Sequence, residues 1–316
     1  MRPGRLLVPV RSSATAAASL ALGAAAVIWA SSVPGLDAQA SARERTLFVS
    51  AVDDAGEPVA GLGPEAFIVR EDGIRREILR VSRATEPIDI ALLVDNSAAA
   101  SDDILFLREA LATFVARMAP GNQIAVITLA DRPTIAADYT GDAGRLGEAV
   151  GRLFAMSQSG MTLLDAIWEV SRGLARRETP RAVIVAVFTD GPEFTNRYHR
   201  DVAAAAREAG AALHLVTLGQ FLHSEEHGIR ERSFLLDSGP SETGGQRISL
   251  LSPNGLEPAL ERLARELTSQ YKVVYGRPES FIPPERIEVA SARAGVKMRG
   301  APARGEGRRG GGLVVP

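Results

Sequence analysis

Four continuous apolar runs, at residues 90–94, 124–129, 182–188 and 211–218, constrain this chain more than any other feature in it. Each is short and none alternates apolar with polar, so each reads as a strand buried on both faces, the pattern of a parallel sheet. Between and after these runs apolar residues recur at helical spacing. Ile104, Leu107, Leu111, Phe114, Val115 and Met118 make one stripe, behind a helix start at Ser101, Asp102 and Asp103. Leu163, Ile167, Val170 and Leu174 make a second. Residues 198–209, Ala-rich and ending at Gly210, predict a third helix, and Leu256, Leu260, Leu263 and Leu267 a fourth. Buried strands alternating with helices predict an α/β fold: a doubly wound, mostly parallel sheet flanked by helices.

The flanks have a different character. Residues 46–52 alternate and run into the turn former Asp53-Asp54-Ala55-Gly56. Residues 67–70 and 76–81 read as two more strands around Glu71-Asp72-Gly73, and the change of character comes at Glu86-Pro87. Strand patterns return after the last helix, at 271–275, 286–290 and 296–299. The expected organisation is therefore a β module at 41–87, the α/β domain at 88–270, and strands at 271–299 that pair with the first module into one small β-sandwich. A Gly-rich, locally basic tail at 300–316 is expected to be disordered.

The first forty residues read as an export signal. Arg2, Arg5 and Arg11 precede an uncharged, Ala-rich run, and Ala38-Gln39-Ala40 offers the small-x-small cleavage pattern. Left uncleaved, the run is long enough to act as a single membrane anchor, the one membrane contact expected. The destination is thus the periplasm or the exterior. With 316 residues, of which 46% are hydrophobic, the chain can bury a sizeable core. The net charge of -2 gives no reason to expect a nucleic-acid partner. Having no Cys, it can use neither disulfides nor thiolate ligands, and stability must come from packing.

Oxygen-bearing side chains stand just after three of the predicted strands or in the loops between them. They are Asp95 and Ser97, Thr162, and Asp190. In a parallel sheet the loops leaving the carboxyl ends of neighbouring strands converge on one crevice, where residues distant in sequence meet. Two carboxylates and two hydroxyls, with no His among them, suit a hard cation such as Mg²⁺. Each residue also has a local reading: Thr162 and Asp165 fit a helix capping box, and Asp95-Asn96 and Asp190-Gly191-Pro192 are turn formers.

Taken in order, Asp95-Asn96-Ser97, Gly160-Met161-Thr162-Leu163-Leu164-Asp165-Ala166 and Phe188-Thr189-Asp190-Gly191 resemble the von Willebrand factor A domain over residues 88–270. Together with the flanking strands, the chain is similar to a bacterial group of secreted proteins built on that domain. The resemblance implies a metal-ion-dependent adhesion site (MIDAS) in which Asp95, Ser97, Thr162 and Asp190 hold Mg²⁺, or Mn²⁺, for a protein partner offering an acidic residue. The family pattern D-x-S-x-S is incomplete, because its second serine is Ala99 in this chain.

Two other readings compete with adhesion. The Ala98-Ala99-Ala100 run fits a metal-free interaction or scaffold domain that assembles envelope complexes. His223-Ser224-Glu225-Glu226-His227 matches the H-x-x-E-H pattern of one metalloprotease class, which needs both His on one helical face. Against it stand the polar surface character of that segment and the lack of any Ser/His/Asp arrangement, so the chain is expected not to be an enzyme. His214 reads as a packed strand residue, and Asp131 and Asp138 as loop acids at the rim of the site.

Overall fold

The computed structural model describes residues 43–303, apart from 178, 221–223, 279–283 and 285. The expected signal segment at 1–40 and residues 304–316 of the expected tail lie outside the described residues.

In chain order the elements are β1 (Arg43–Val52), β2 (Phe67–Glu71), β3 (Ile74–Arg76), β4 (Ile78–Arg83), β5 (Ile88–Val94), α1 (Ile104–Met118), β6 (Gln123–Thr128), β7 (Thr134–Thr140), α2 (Ala143–Gly151) and α3 (Leu163–Arg177). They continue with β8 (Arg181–Thr189), α4 (His199–Glu208), β9 (Ala211–Leu218), α5 (His227–Thr243), β10 (Arg247–Leu250), α6 (Leu256–Thr268), β11 (Tyr271–Arg277), β12 (Ile287–Ser291) and β13 (Lys297–Pro302).

The four apolar runs form the inner strands of a six-stranded sheet of order β10-β9-β8-β5-β6-β7. Every residue of β5, β8 and β9 is buried, because helices cover both faces. Ile90, Leu92 and Val94 point into a core completed by α1, α2 and α6, whereas Ala91 and Leu93 point into one completed by α3, α4 and α5. Each large apolar side chain so buried stabilises the fold by about 1.5–3 kcal/mol. All pairings are parallel except β6 with the edge strand β7. The chain leaves β5 towards β6 on one side and returns to β8 on the other, so the winding reverses at the carboxyl end of β5.

The terminal strands form two antiparallel sheets, β13-β1-β11-β4 and β12-β2-β3, each mixing strands from both ends of the sequence. Leu47, Val49, Phe67, Val69, Val273 and Tyr275 fill the space between them, as a sandwich requires. Phe67 packs edge-on to Tyr271 with ring centroids 5.3 Å apart. Arg181 ties the sandwich to the α/β sheet. Its guanidinium donates to Glu86 O (2.7 Å), Leu267 O (2.8 Å) and Gln270 Oε1 (2.8 Å) and lies over Phe48. Burial pushes its pKa down to about 10, against the opposing pull of the Glu86 carboxylate.

Several sequence expectations need correction. The single strand expected at 76–81 is broken at Glu77, where the chain crosses from one sheet of the sandwich to the other; β3 and β4 belong to different sheets. The expected tail begins too early. Residues 300–302 pair with β1, Leu47 standing opposite Pro302 and Val49 opposite Gly300. Asp138 is in strand β7 and not in a loop. The pattern His223–His227 does not lie on one helical turn: His223 is outside the described residues, Glu226 is extended (φ -62°, ψ 131°), and α5 begins only at His227, whose ring packs edge-on to Tyr198. Among the described residues no group of three His, Asp or Glu could hold a metal ion, and no helix is long and apolar enough to cross a membrane.

Candidate functional site

Asp95, Asn96 and Ser97 follow β5 directly, at the point where the winding reverses, and all three are buried. The Asp95 carboxylate organises the loop. Its Oδ1 accepts from Ser97 N (2.8 Å), and its Oδ2 accepts from Thr189 N (3.1 Å) and Thr189 Oγ1 (2.5 Å) at the end of β8. Asn96 reaches the opposite way: Oδ1 accepts from Ala130 N (2.9 Å) after β6, and Nδ2 donates to Phe154 O (3.3 Å).

Ser97 is wholly buried, and its Oγ has no hydrogen-bond partner. A desolvated hydroxyl left unpaired costs about 1–3 kcal/mol. The fold therefore keeps a group that works against its stability.

The Thr162 loop is stitched to its neighbours by backbone. Thr162 N donates to Leu129 O (3.0 Å), Met161 N to Pro192 O (2.8 Å) and Phe194 N to Met161 O (2.7 Å). Thr162 Oγ1 donates its hydrogen to Leu129 O at 2.8 Å, which leaves its lone pairs available to accept. The capping box does not form. Asp165 instead pairs with Arg197 (2.7 Å), and the cap of α3 comes from Glu193, whose Oε1 accepts from Leu164 N at 3.1 Å. Burial pushes the Glu193 pKa up to about 8. Asp131 joins the same stitching, with its backbone at positive φ (56°) and its Oδ1 accepting from Gly160 N (3.3 Å).

Asp190 and Gly191 close the third side. A Cβ on Gly191 would stand 2.8 Å from the Ala99 methyl and 3.6 Å from Ser97 Oγ, so this loop folds down onto the first one and only glycine fits. Asp190 Oδ1 accepts from Arg232 Nη2 (2.8 Å), and Arg232 Nη1 donates to Gly191 O (2.5 Å). Arg232 comes from α5 and its side chain is 1% exposed.

The structure thus gathers Asp95, Ser97, Thr162 and Asp190 around the carboxyl end of β5, and adds Thr189, Asn96, Glu193 and Arg232, which the sequence reading did not assign. Arg232 left a trace. The buried stripe of α5 runs through Gly228, Glu231, Arg232, Leu235, Leu236 and Gly239, so two charged residues occupy positions where apolar ones belong. His214, in β9, is buried with both ring nitrogens unpaired, and burial pushes its pKa down to about 4.

Residues 90–193, which include all four oxygen-bearing residues, match the family model of the von Willebrand factor type A domain. No curated protein matches the sequence. Among solved structures, the chain is similar to the von Willebrand factor domain of the type V pili tip protein Mfa5 from Porphyromonas gingivalis (11% identity, 58% of this chain and 96% of that one, TM-score 0.46). It is similar to the conserved hypothetical protein BatB from Bacteroides thetaiotaomicron (14% identity, 58% and 100%, TM-score 0.45). It is also similar to proximal thread matrix protein 1 from the mussel byssus, in a structure with a zinc-occupied MIDAS motif (15% identity, 66% and 50%, TM-score 0.47).

Proposed function

We propose that this chain, which carries a von Willebrand factor type A domain, is an exported binding protein that recognises a protein partner through a divalent cation, Mg²⁺ or Mn²⁺, held at the carboxyl end of β5. The observation that carries this reading is the buried, partnerless hydroxyl of Ser97. A hydroxyl with no acceptor and no water access is retained at a cost to the fold, and coordination of a hard cation accounts for it. Thr162 Oγ1 offers lone pairs to the same crevice, while Asp95 and Asp190 supply the negative charge. A cation bound there presents an open electrophilic position to an incoming carboxylate.

The chain's own residues set the limits of the site. Ala99 offers no oxygen, so the coordination sphere is one protein ligand short of the family pattern. Arg232 already holds Asp190, so part of the anionic charge is spent inside the protein. Around the crevice stand exposed apolar side chains: Phe154 and Met156, whose loop hydrogen-bonds to Asn96, and Phe194, whose ring covers Gly160. They offer the partner apolar contacts that would exclude water from the polar centre, the role of the ring around an interface hot spot.

Calorimetric titration of Mg²⁺ and Mn²⁺ into the wild type and Ser97→Ala tests the reading. Saturable binding in the wild type that disappears in the variant is the expected result; no heat in a folded wild type, or equal binding by both, overturns it. The Arg232–Asp190 pair favours a second reading, a metal-free interaction domain in which the guanidinium stands in for the cation. That reading predicts partner capture that chelator leaves unchanged. The enzyme alternative draws no support from His227, which is engaged with Tyr198.

A further inference from the structure

The sandwich ends in charge. On β1 the inward row Ala51, Val49 and Leu47 leads to Arg45; on β2 Phe67 and Val69 lead to Glu71; on β11 Tyr271 and Val273 lead to Tyr275 and Arg277. Glu71 is 1% exposed. It accepts from Tyr275 Oη (2.7 Å) and Arg76 Nε (3.0 Å), and it pairs with Arg277 Nε (3.4 Å). Its one negative charge is therefore shared between two guanidiniums.

Arg45 makes a third. It stands opposite Tyr275 in the strand register and diagonal to Arg277. Its Nε is buried and has no hydrogen-bond partner. This end of the sandwich opens on a groove of about 1580 Å³ lined by Arg45, Arg70, Glu71, Tyr275 and Arg277 among others. Three of the four other acids along the groove are matched, Asp237 with Arg247 (3.1 Å), Glu288 with Arg286 (3.0 Å) and Glu242 with Arg207, and the fourth, Glu208, is exposed at the end of α4. Guanidiniums outnumber carboxylates along the groove, and a planar guanidinium with an unused N–H is matched best by an oxyanion.

We propose that this groove is an anion site, separate from the crevice at β5, in which Arg45 with Arg277 beside it binds a carboxylate or phosphate oxyanion. A free phosphate compound and an acidic side chain of another protein share that chemistry, and two probes separate them.

The full chain is titrated, in chelator and at ionic strength held constant with chloride, with inorganic phosphate and with succinate, and followed by melting temperature and calorimetry. The expected result is a saturable rise with at least one anion. In Arg45→Gln the affinity falls about tenfold to a hundredfold, the loss of one charge-assisted contact of about 1.5–3 kcal/mol. Arg45→Lys, which keeps the charge without the fork, falls between, and Arg152→Gln, on the exposed residue that follows α2 and lies outside the groove, leaves binding unchanged. Preference for phosphate points to a phosphorylated ligand and preference for succinate to an acidic protein segment. Neither anion acting beyond chloride, or both Arg45 variants binding as the wild type does, overturns the proposal.

Discussion

Arg232 Nη2 lies 2.8 Å from Asp190 Oδ1, joining a guanidinium that is 1% exposed to a carboxylate that is 30% exposed. Removing the carboxylate takes the acidic partner from a buried cation that keeps its bond to Gly191 O, whereas removing the cation leaves a carboxylate that water can reach. Asp190→Ala should therefore cost about 3 kcal/mol, the lower end of the range for broken buried pairs, and Arg232→Met in the Asp190→Ala background should recover much of it. Denaturant unfolding of the two single variants and the double variant measures this coupling. Additive losses would show that the pair is incidental.

Ser97→Ala separates metal binding from stability. The methyl removes a buried hydroxyl that has no partner, so unfolding free energy should stay level or rise by about 1 kcal/mol. Mg²⁺ binding should vanish in the same variant. A loss of stability without metal would mean that the hydroxyl serves the fold.

Ala99→Ser restores the hydroxyl that the pattern lacks. The Ala99 methyl borders Gly191, beside Ser97, so a serine there adds one oxygen at the crevice. Mg²⁺ affinity should rise roughly tenfold, equivalent to about 1.4 kcal/mol, and calorimetry reads it directly.

Stability should fall in acid because of His214. Burial holds its folded pKa near 4, below the ordinary 6.5, while the nearby Glu266 carboxylate pulls it up and Arg299 pushes it down. Between those values the unfolded chain binds a proton that the folded chain refuses. The contribution is thus complete above pH 6.5 and is lost as pH falls towards 4, amounting to about 3 kcal/mol. His214→Leu should flatten that part of the stability profile measured by denaturant unfolding.

Deleting residues 271–299 removes β11 and β12 and half of β13, so β1 loses one neighbour entirely and half of the other. The segment 46–83 should then become protease-sensitive. Unchanged resistance would mean that the amino-terminal strands stand without their carboxy-terminal partners.

Burial on both faces writes itself into sequence as unbroken apolar runs, and the inner strands β5, β6, β8 and β9 were readable for that reason. The edge strand β7 was not, because its residues are mostly exposed and their pattern is weak. Helix α5 was hidden by Gly239, Pro240 and the charged pair Glu231-Arg232 within its buried stripe. Asp95, Ser97 and Asp190 were readable because they directly follow the apolar runs of β5 and β8, and Thr162, which precedes α3, was readable only through the motif around it.

What the sequence by itself determined is therefore local: strand and helix periods, the order of the three oxygen-bearing loops, and the methyl at Ala99. Tertiary structure decided the rest. Ser97 becomes a hydroxyl without a partner only when three loops close over it, Thr162 Oγ1 gives its hydrogen to Leu129 O, 33 residues away, and the capping of α3 falls to Glu193, which accepts from Leu164 N across 29 residues. Arg232 meets Asp190 across 42 residues of chain. Periodicity reports which face of an element is buried; it carries no information on which distant group will share that space, since packing and desolvation choose the partner only after the elements have met.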